Sequence, residues 1–388
     1  MKILHVCLAN FYIDNYGYQE NVLPKMHKML GYDVAILAST ETYIDNKDLG
    51  YIKEGTFLNE NGIEVTRIPY VKWLPKFLRV KLRLYEGVKN YLERFKPDIL
   101  FIHDIQFLSV RQIVTFLKKN PQIKVYVDGH ADFSNSARNF LSMHLLHKGV
   151  YKYCVKLIKP FVLKFYGTLP ARVDFFVNVY GTSPLNTELL VMGADDEFVK
   201  KAKDKNIRTV VRKQFNIADD DLLLISGGKI DWSKKQTLNL MKAIEEINDA
   251  KVKLLIFGSV SEELNEDFNK LLIPNRVFFI GWLNYMDIYD YFEAADLVVF
   301  PGRHSVLWEQ AVGQGKPCIF KHYPGHTHVD LSGNCKFLYN TSVKEIKETL
   351  LDSFKDLDLL TKTSVEKGIG HFSYLDIAKR AIVNENKY

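Results

Sequence analysis

The stretch Asp296-Leu-Val-Val-Phe-Pro-Gly-Arg-His-Ser-Val-Leu-Trp-Glu309-Gln-Ala-Val-Gly-Gln-Gly-Lys-Pro-Cys-Ile-Phe320 decides how the chain is read. Leu297 to Phe300 is a short apolar run of the kind a strand buried on both faces needs, and Pro301-Gly302 breaks it. Ser305 is placed to cap a helix over Val306 to Val312, which Gly315 and Pro317 end before a second strand. A helix that opens directly after a strand points unpaired N–H groups and a positive dipole end at whatever lies there, so a phosphate can sit on it. Glu309, one turn in, would reach a ribose hydroxyl. The plainer alternative is an ordinary strand-to-helix turn with an acid favoured by the dipole.

Working outward, the residues before this stretch repeat the same unit. Leu222–Ser226, Val252–Phe257 and Arg276–Ile280 are apolar runs that each end at glycine, with helical spacing over Gln236–Asn248, up to Leu272 and through Tyr291. The first half opens as a strand Lys2–Leu8, a loop ending at Gly17, a helix closed by Gly31 and a strand Asp33–Ala38. Strands are expected at Ile63–Ile68, Pro97–Asp104 with a polar end, Ile123–Val127 and Asp174–Tyr180. The charged, aperiodic residues 196–220 read as a linker. The expected fold is therefore α/β, with two doubly wound Rossmann-like domains on either side of a cleft, residues 1–195 and 221–371, and a last helix over 372–388 crossing back to the first. No Gly-x-Gly-x-x-Gly follows the first strand, which argues against a nicotinamide or flavin dinucleotide.

Ligands of open parallel sheets bind beyond the carboxyl ends of the strands. That rule singles out Gly17, His103 and His130 in the first half. In the second it singles out Lys229 and Lys234, five residues apart around a strand-to-helix turn and able to meet one pyrophosphate. Two lysines on a turn can equally be solvated charges.

Composition narrows the classes. The 388 residues are 47% hydrophobic, enough for two cores, and no apolar run reaches the roughly 20 residues that span a bilayer. The chain starts straight into a strand pattern, so no signal or transit segment is expected and the expected location is cytoplasmic. Cys7, Cys154, Cys318 and Cys335 lack metal-ligand spacing. The net charge of +6 is concentrated: between Asp132 and Asp174 there is no acid, while Arg138, Lys148, Lys152, Lys156, Lys159, Lys164 and Arg172 occur. No nucleic-acid-binding signature accompanies these, so no nucleic-acid partner is expected. Lys148 to Lys159 places its lysines on one helical face and apolar residues on the other, as at a membrane surface or on a core-packed helix with a solvated face. Lys72 to Tyr85 is likewise cationic and aromatic.

In this order and spacing the sequence resembles the retaining GT-B glycosyltransferases of family 4. The resemblance rests on Gly17, on Gly-Gly-Lys229-x4-Lys234, on Phe-Ile-Gly281-Trp282, on Ala-Ala-Asp296-Leu-Val-Val-Phe-Pro, and on Glu309-Gln-Ala-Val-Gly-Gln-Gly-Lys-Pro. It implies transfer of a sugar from a nucleoside-diphosphate sugar, with no further cofactor and no metal. Lys229 and Lys234 would neutralise the diphosphate, Ser305, Val306 and Leu307 would offer backbone N–H groups, and Glu309 would hold the ribose. Backbone at Gly281 and Trp282 would meet the base, Gly17 would approach the phosphates, and His130 would face the donor sugar at the reaction centre. The family carries a second glutamate where this chain has Pro301, which leaves Arg303 or His304 to make that contact, and the family arginine is Lys229. The resemblance further implies a lipid-linked or oligosaccharide acceptor, an anionic membrane surface as partner, and a role in envelope or capsular polysaccharide assembly. A nucleotide-sugar 2-epimerase of the same fold and a non-catalytic nucleotide-sugar-binding subunit remain alternatives.

Overall fold

The computed structural model describes residues 1–44, 48–136, 140, 142–204 and 206–382. The chain divides into two compact units, Met1–Val191 together with Ile377 onward, and Met192–Asp376.

In unit 1 the strands are β1 (Lys2–Cys7), β2 (Asp33–Ser39), β3 (Glu41–Ile44), β4 (Asp48–Tyr51), β5 (Gly55–Leu58), β6 (Glu64–Ile68), β7 (Ile99–His103), β8 (Lys124–Gly129), β9 (Val162–Gly167) and β10 (Thr187–Leu189). Eight of them form one sheet in the order β10-β9-β8-β7-β1-β2-β6-β5, parallel except for β5 against β6. β1, β7 and β8 sit at its centre and are mostly apolar along their length because both faces are covered, with the buried His5 the one polar residue in the middle of β1. Their C-terminal ends carry the polar exceptions His103, Asp128 and, one residue past β8, His130.

One expectation fails here. Asp174–Tyr180 is helical, a helix Pro170–Phe175 continuing into a wider turn over Phe176–Tyr180. Its aromatic and β-branched residues look like a strand, but Pro170 sits at the helix start, where its fixed φ and missing N–H are tolerated. The neighbouring β9 falls instead inside the basic region, where Lys164 pairs with Glu188. In the same region Lys148, Lys152, Lys156 and Lys159 are exposed over a buried face of Cys154, Val155 and Ile158, with Tyr153 also exposed. Arg138 lies outside the described residues.

Unit 2 holds β11 (Leu222–Ile230), β12 (Val252–Val260), β13 (Val277–Phe279), β14 (Leu297–Phe300), β15 (Cys318–Lys321) and β16 (Cys335–Leu338) in a wholly parallel sheet ordered β13-β12-β11-β14-β15-β16. The segment 196–220, expected as a linker, forms two helices, Asp196–Asp204 and Ile207–Gln214, that belong to this unit. The second is fixed by Asp296, which opens the stretch quoted first. Its carboxylate takes Arg208 at 2.6 Å, Arg212 at 3.2 Å and the Leu223 N–H at 2.7 Å. In the first, Val199 and Ala202 pack with Tyr289 beside Phe198, and the second is tied down by the Asp296 pairs; both sets of partners lie some eighty or more positions away, which is why the segment reads as linker. The last helix is Tyr374–Ala381, and residues 383–388 lie outside the described ones.

Candidate functional site

In unit 2 the site forms where strands end. β11 does not stop at Ser226 but continues through Gly227-Gly228-Lys229, paired with β12 as Gly228 to Gly258 and Lys229 to Ser259. Gly228 and Gly258 have φ of 107° and 115°, and a Cβ on Gly258 would overlap the Gly228 carbonyl. Only glycine permits so close a crossing. It leaves Lys229 exposed on the strand, not in a turn as the spacing predicts. The turn follows: Asp231 Oδ1 accepts from the Ser233 N–H at 2.9 Å and Oγ at 2.5 Å, and the Lys234 N–H donates to the Asp231 carbonyl at 2.8 Å.

Gly302, just past β14, rests on this turn; a Cβ there would lie 3.0 Å from Lys234 Cα. The contact brings Arg303 beside Lys234, its N–H donating to the Ser233 carbonyl at 3.4 Å. Burial pushes the Lys234 ammonium down to about 8, with Asp231 opposing and Arg303 adding to the fall. Burial also works against the Asp231 carboxylate, but Ser233 and the two lysines outweigh it and hold the group below the usual range. Three cations, Lys229, Lys234 and Arg303, are thus grouped around one carboxylate.

Ser305 does not cap the next helix. The helix runs Leu307–Gly313 with Val306 at its cap position, and the Ser305 Oγ is buried without a protein partner. The first N–H of this turn to find a carbonyl is that of Trp308, on Ser305 at 3.0 Å. Leu307 packs beside Gly228. Glu309 is completely buried, and its Oε1 accepts from His304 Nε2 and His328 Nε2, each at 2.8 Å. Burial would raise this carboxyl, yet the two histidines hold it well below the carboxylate range. Glu309 Oε2, His328 Nδ1, Trp308 Nε1 and Gln310 Oε1 are buried with no protein partner, a concentration of unspent polar atoms that polar ligands answer. His304, one of the two residues expected to stand in for the glutamate absent at Pro301, engages its Nε2 with Glu309. Gly281 is tied to the end of β12 by the Gly258 N–H on its carbonyl at 2.7 Å, and Trp282 stands 53% exposed.

His304, His328 and Glu309 present ligand atoms within 4.8 Å of one another. Their 2.8 Å separations are those of hydrogen bonds; two ligands of a tetrahedral ion stand roughly 3.3 Å apart.

In unit 1, Gly17 lies two residues before the helix Gln19–Met29. His130 Nε2 lies 3.4 Å from Asp128 Oδ1 and 3.9 Å from Glu20 Oε1. Burial lowers its proton affinity, but Asp128 and Glu20 raise it further than burial lowers it, so the group is held above the ordinary histidine value. Glu20 accepts from Asn10 at 3.0 Å and Asp128 from Gln19 at 2.9 Å. Asp104, buried at the end of β7, has φ 61°, a strained conformation for a residue with a side chain. Its N–H donates to Asp128 Oδ1 at 3.1 Å, and burial raises its carboxyl. His103 has both ring nitrogens occupied, by Asp128 and His5, so it has no lone pair to offer an ion.

The fold thus gathers Lys229, Lys234 and Arg303, and separately His304 with Glu309. It surrounds His130 with Asp128 and Glu20. Asp231, His328, Asp128, Glu20 and Asp104 escaped the sequence reading. The clustered histidines 322, 326 and 328 past β15, and an aspartate two residues before His130, were the available signals.

Two parallel doubly wound sheets of this order define the GT-B class of fold. Over 98% of this chain the structure matches sucrose-phosphate synthase from Thermosynechococcus elongatus (TM-score 0.68, 15% identity, 97% of that chain). It matches HepE of Anabaena in complex with UDP (0.67, 15%, 98% of each chain) and UDP-GlcNAc 2-epimerase from Neisseria meningitidis (0.63, 11%, 98% of each). Residues 207–364, which lie within unit 2, match the family model of the glycosyl transferases group 1. Sequence comparison with curated proteins gives no match.

Proposed function

We propose that the protein transfers a sugar, with retention at the anomeric carbon and without a metal, from a nucleoside-diphosphate sugar to a lipid-linked glycan. The observation that carries this reading is the half-buried Lys234 ammonium grouped with Lys229 and Arg303 at the ends of β11 and β14. Breaking the bond from sugar to diphosphate builds negative charge on the leaving group. Cations already fixed there stabilise it without reorganising, and such groups typically contribute ~3 kcal/mol each. Lys229 and Lys234 take the diphosphate, Ser305 to Leu307 supply N–H groups, the unpartnered Glu309 Oε2 takes ribose hydroxyls, and Gly281 and Trp282 border the base. His130, its proton affinity raised by Asp128 and Glu20, meets the donor sugar, and Gly17 lies by the phosphates. A donor phosphate oxygen receives the acceptor's proton, so no separate protein base is required. The complex of HepE with UDP supports a uridine diphosphate donor.

Acceptor and location rest on unit 1. Trp73 and Phe77 are 75% and 69% exposed among Lys72, Lys76 and Lys81, and Phe140 and Leu145 are exposed near Lys148. Among the described residues no helix is long and apolar enough to cross a membrane. Peripheral attachment to the cytoplasmic face of the plasma membrane, in envelope or capsular polysaccharide assembly, follows from an acceptor held in that surface.

A thermal-shift panel of nucleoside diphosphates and their sugars is expected to show one selective stabilisation, abolished in Lys229→Ala/Lys234→Ala. Transfer should fall at least ~100-fold in both His130→Ala and Glu309→Ala. Near-wild-type transfer in the two variants would sink the site assignment. Release of a free rearranged sugar from donor alone would place the protein with the epimerase instead.

A further inference from the structure

Four hydrogen bonds run in file through unit 1. Asp128 Oδ2 meets His103 Nδ1 at 2.8 Å, and His103 Nε2 meets His5 Nδ1 at 2.9 Å. His5 Nε2 meets His27 Nδ1 at 3.0 Å, and His27 Nε2 meets the Ala378 carbonyl at 3.1 Å. All three rings are completely buried. Both ends of the file, a carboxylate and a carbonyl, are acceptors. Each of the four links needs one hydrogen, but three neutral imidazoles carry only three. One link would otherwise set lone pair against lone pair in a site that water does not reach.

We infer that the His103–His5–His27 line holds one proton beyond those of three neutral rings, at its Asp128 end, and that His103 and His5 are thereby positioning residues for the Asp128–His130 pair. The proton belongs at that end because only there does a negative charge meet it. Burial holds His5 well below the ordinary histidine range and His27 down to about 4, so neither takes it readily. Asp128 is not its resting place either. Its Oδ2 also accepts from Gln19 and its Oδ1 from the Asp104 N–H, the surroundings of an ionised carboxylate. The other ionisable groups set around the line are Cys7 on β1, Glu20 on the Gln19–Met29 helix, Asp104 past β7, His130 past β8 and Tyr32 at the edge of His27. All six ring nitrogens are spent within the line, so none of these can supply the missing hydrogen.

The consequence lies in how the charge of Asp128 is divided. Oδ2 is balanced by the extra proton, and Oδ1 is left 3.4 Å from His130. Without that proton, the full carboxylate charge would act on His130 and bind its proton more tightly. The positioning role rests on the sugar-site reading of His130, whereas the proton count does not.

NMR of the full chain with 15N-labelled histidine at pH 7 counts the protons directly. An imidazolium has both nitrogens protonated, while each neutral ring shows one. Two neutral Nε2–H rings and one cationic ring are expected from the line, with the His130 signal identified by its loss in His130→Ala. The cationic ring should persist in His27→Gln, whose amide still accepts from His5 and donates to Ala378. It should vanish in His5→Phe, where neutral His103 satisfies Asp128 alone. In His5→Phe the His130 titration should move up by about one pH unit or more, and the corresponding limb of the transfer-rate profile with it. Three neutral rings in the unsubstituted chain overturn the proposal, whether or not His5→Phe folds. The expected count with an unmoved His130 titration overturns the positioning role alone. A moved titration with no matching limb in transfer removes the sugar-site reading of His130 and leaves the line standing.

Discussion

At the scale of single residues, the candidate donor site proposed around Lys234 works against the stability of the protein that carries it. Lys234 is held at about 8 against an ordinary value of 10.5, with burial as the main cause. Between those values the unfolded chain binds more protons than the folded one, so stability rises with pH across that window and Lys234 works against folding below it. Lys234→Met keeps the stem and removes the charge. The unliganded variant should therefore melt higher than the wild type at pH 7, by a margin that closes towards pH 10, while nucleoside diphosphates cease to stabilise it. Wild-type donor affinity should fall as pH rises past about 8. A variant that melts lower at pH 7 and still responds to nucleotide would show that the ammonium serves the fold and not the donor. Sequence spacing was enough to single out Lys229, Lys234, Glu309 and His130. It could not show what holds them, because Asp231 acts through a turn hydrogen bond, His328 reaches Glu309 across nineteen positions, and Asp128 meets His103 only through the pairing of β7 with β8.

At the scale of elements, the length of β11 matters more than its existence. An apolar run ending at Ser226 is visible in the sequence, but the extension through Gly228 and Lys229 depends on β12 carrying a glycine at the facing position. Gly258→Ala would force a Cβ into the Gly228 carbonyl at a φ of 115° and should cost ~3 kcal/mol or more. Gly281→Ala, at φ 71° with open space around it, should cost only ~1 kcal/mol. Denaturant midpoints of the two variants measure this, and equal losses would mean that the crossing does not constrain the strand. The same dependence on partners explains the misread elements. Phe175 and Phe176 suit a strand by type, yet they pack as helix against the core, with Phe176 lying where a side chain at Gly129 would be. Ile207–Gln214 is held by Asp296, a residue some eighty positions later.

At the scale of the whole molecule, the net charge of +6 and the exposed aromatics of unit 1 make one physical argument. Lysines near an anionic leaflet are worth ~1 kcal/mol each, screened within a Debye length, and aromatic rings hold the headgroup boundary irrespective of salt. Lys72, Lys76 and Lys81 supply the first effect and Trp73 and Phe77 the second, Phe77 on the seven-residue helix Lys76–Leu82, which buries none of its residues fully, and Trp73 just before it. Val80 is the side of this helix that leans on the core, so the exposed Phe77 and Trp73 add nothing to that packing, and an amphipathic boundary gives them a place to go. Vesicles with anionic lipid should therefore co-sediment the protein at low salt. Partition should weaken as salt rises, and Trp73→Ser/Phe77→Ser should lower it about tenfold or more while leaving the nucleotide thermal shift intact. Equal binding to neutral vesicles would remove the lysines from the argument. Unchanged partition in the double variant would move the contact to Phe140 and Leu145, another exposed apolar pair near the lysines of unit 1.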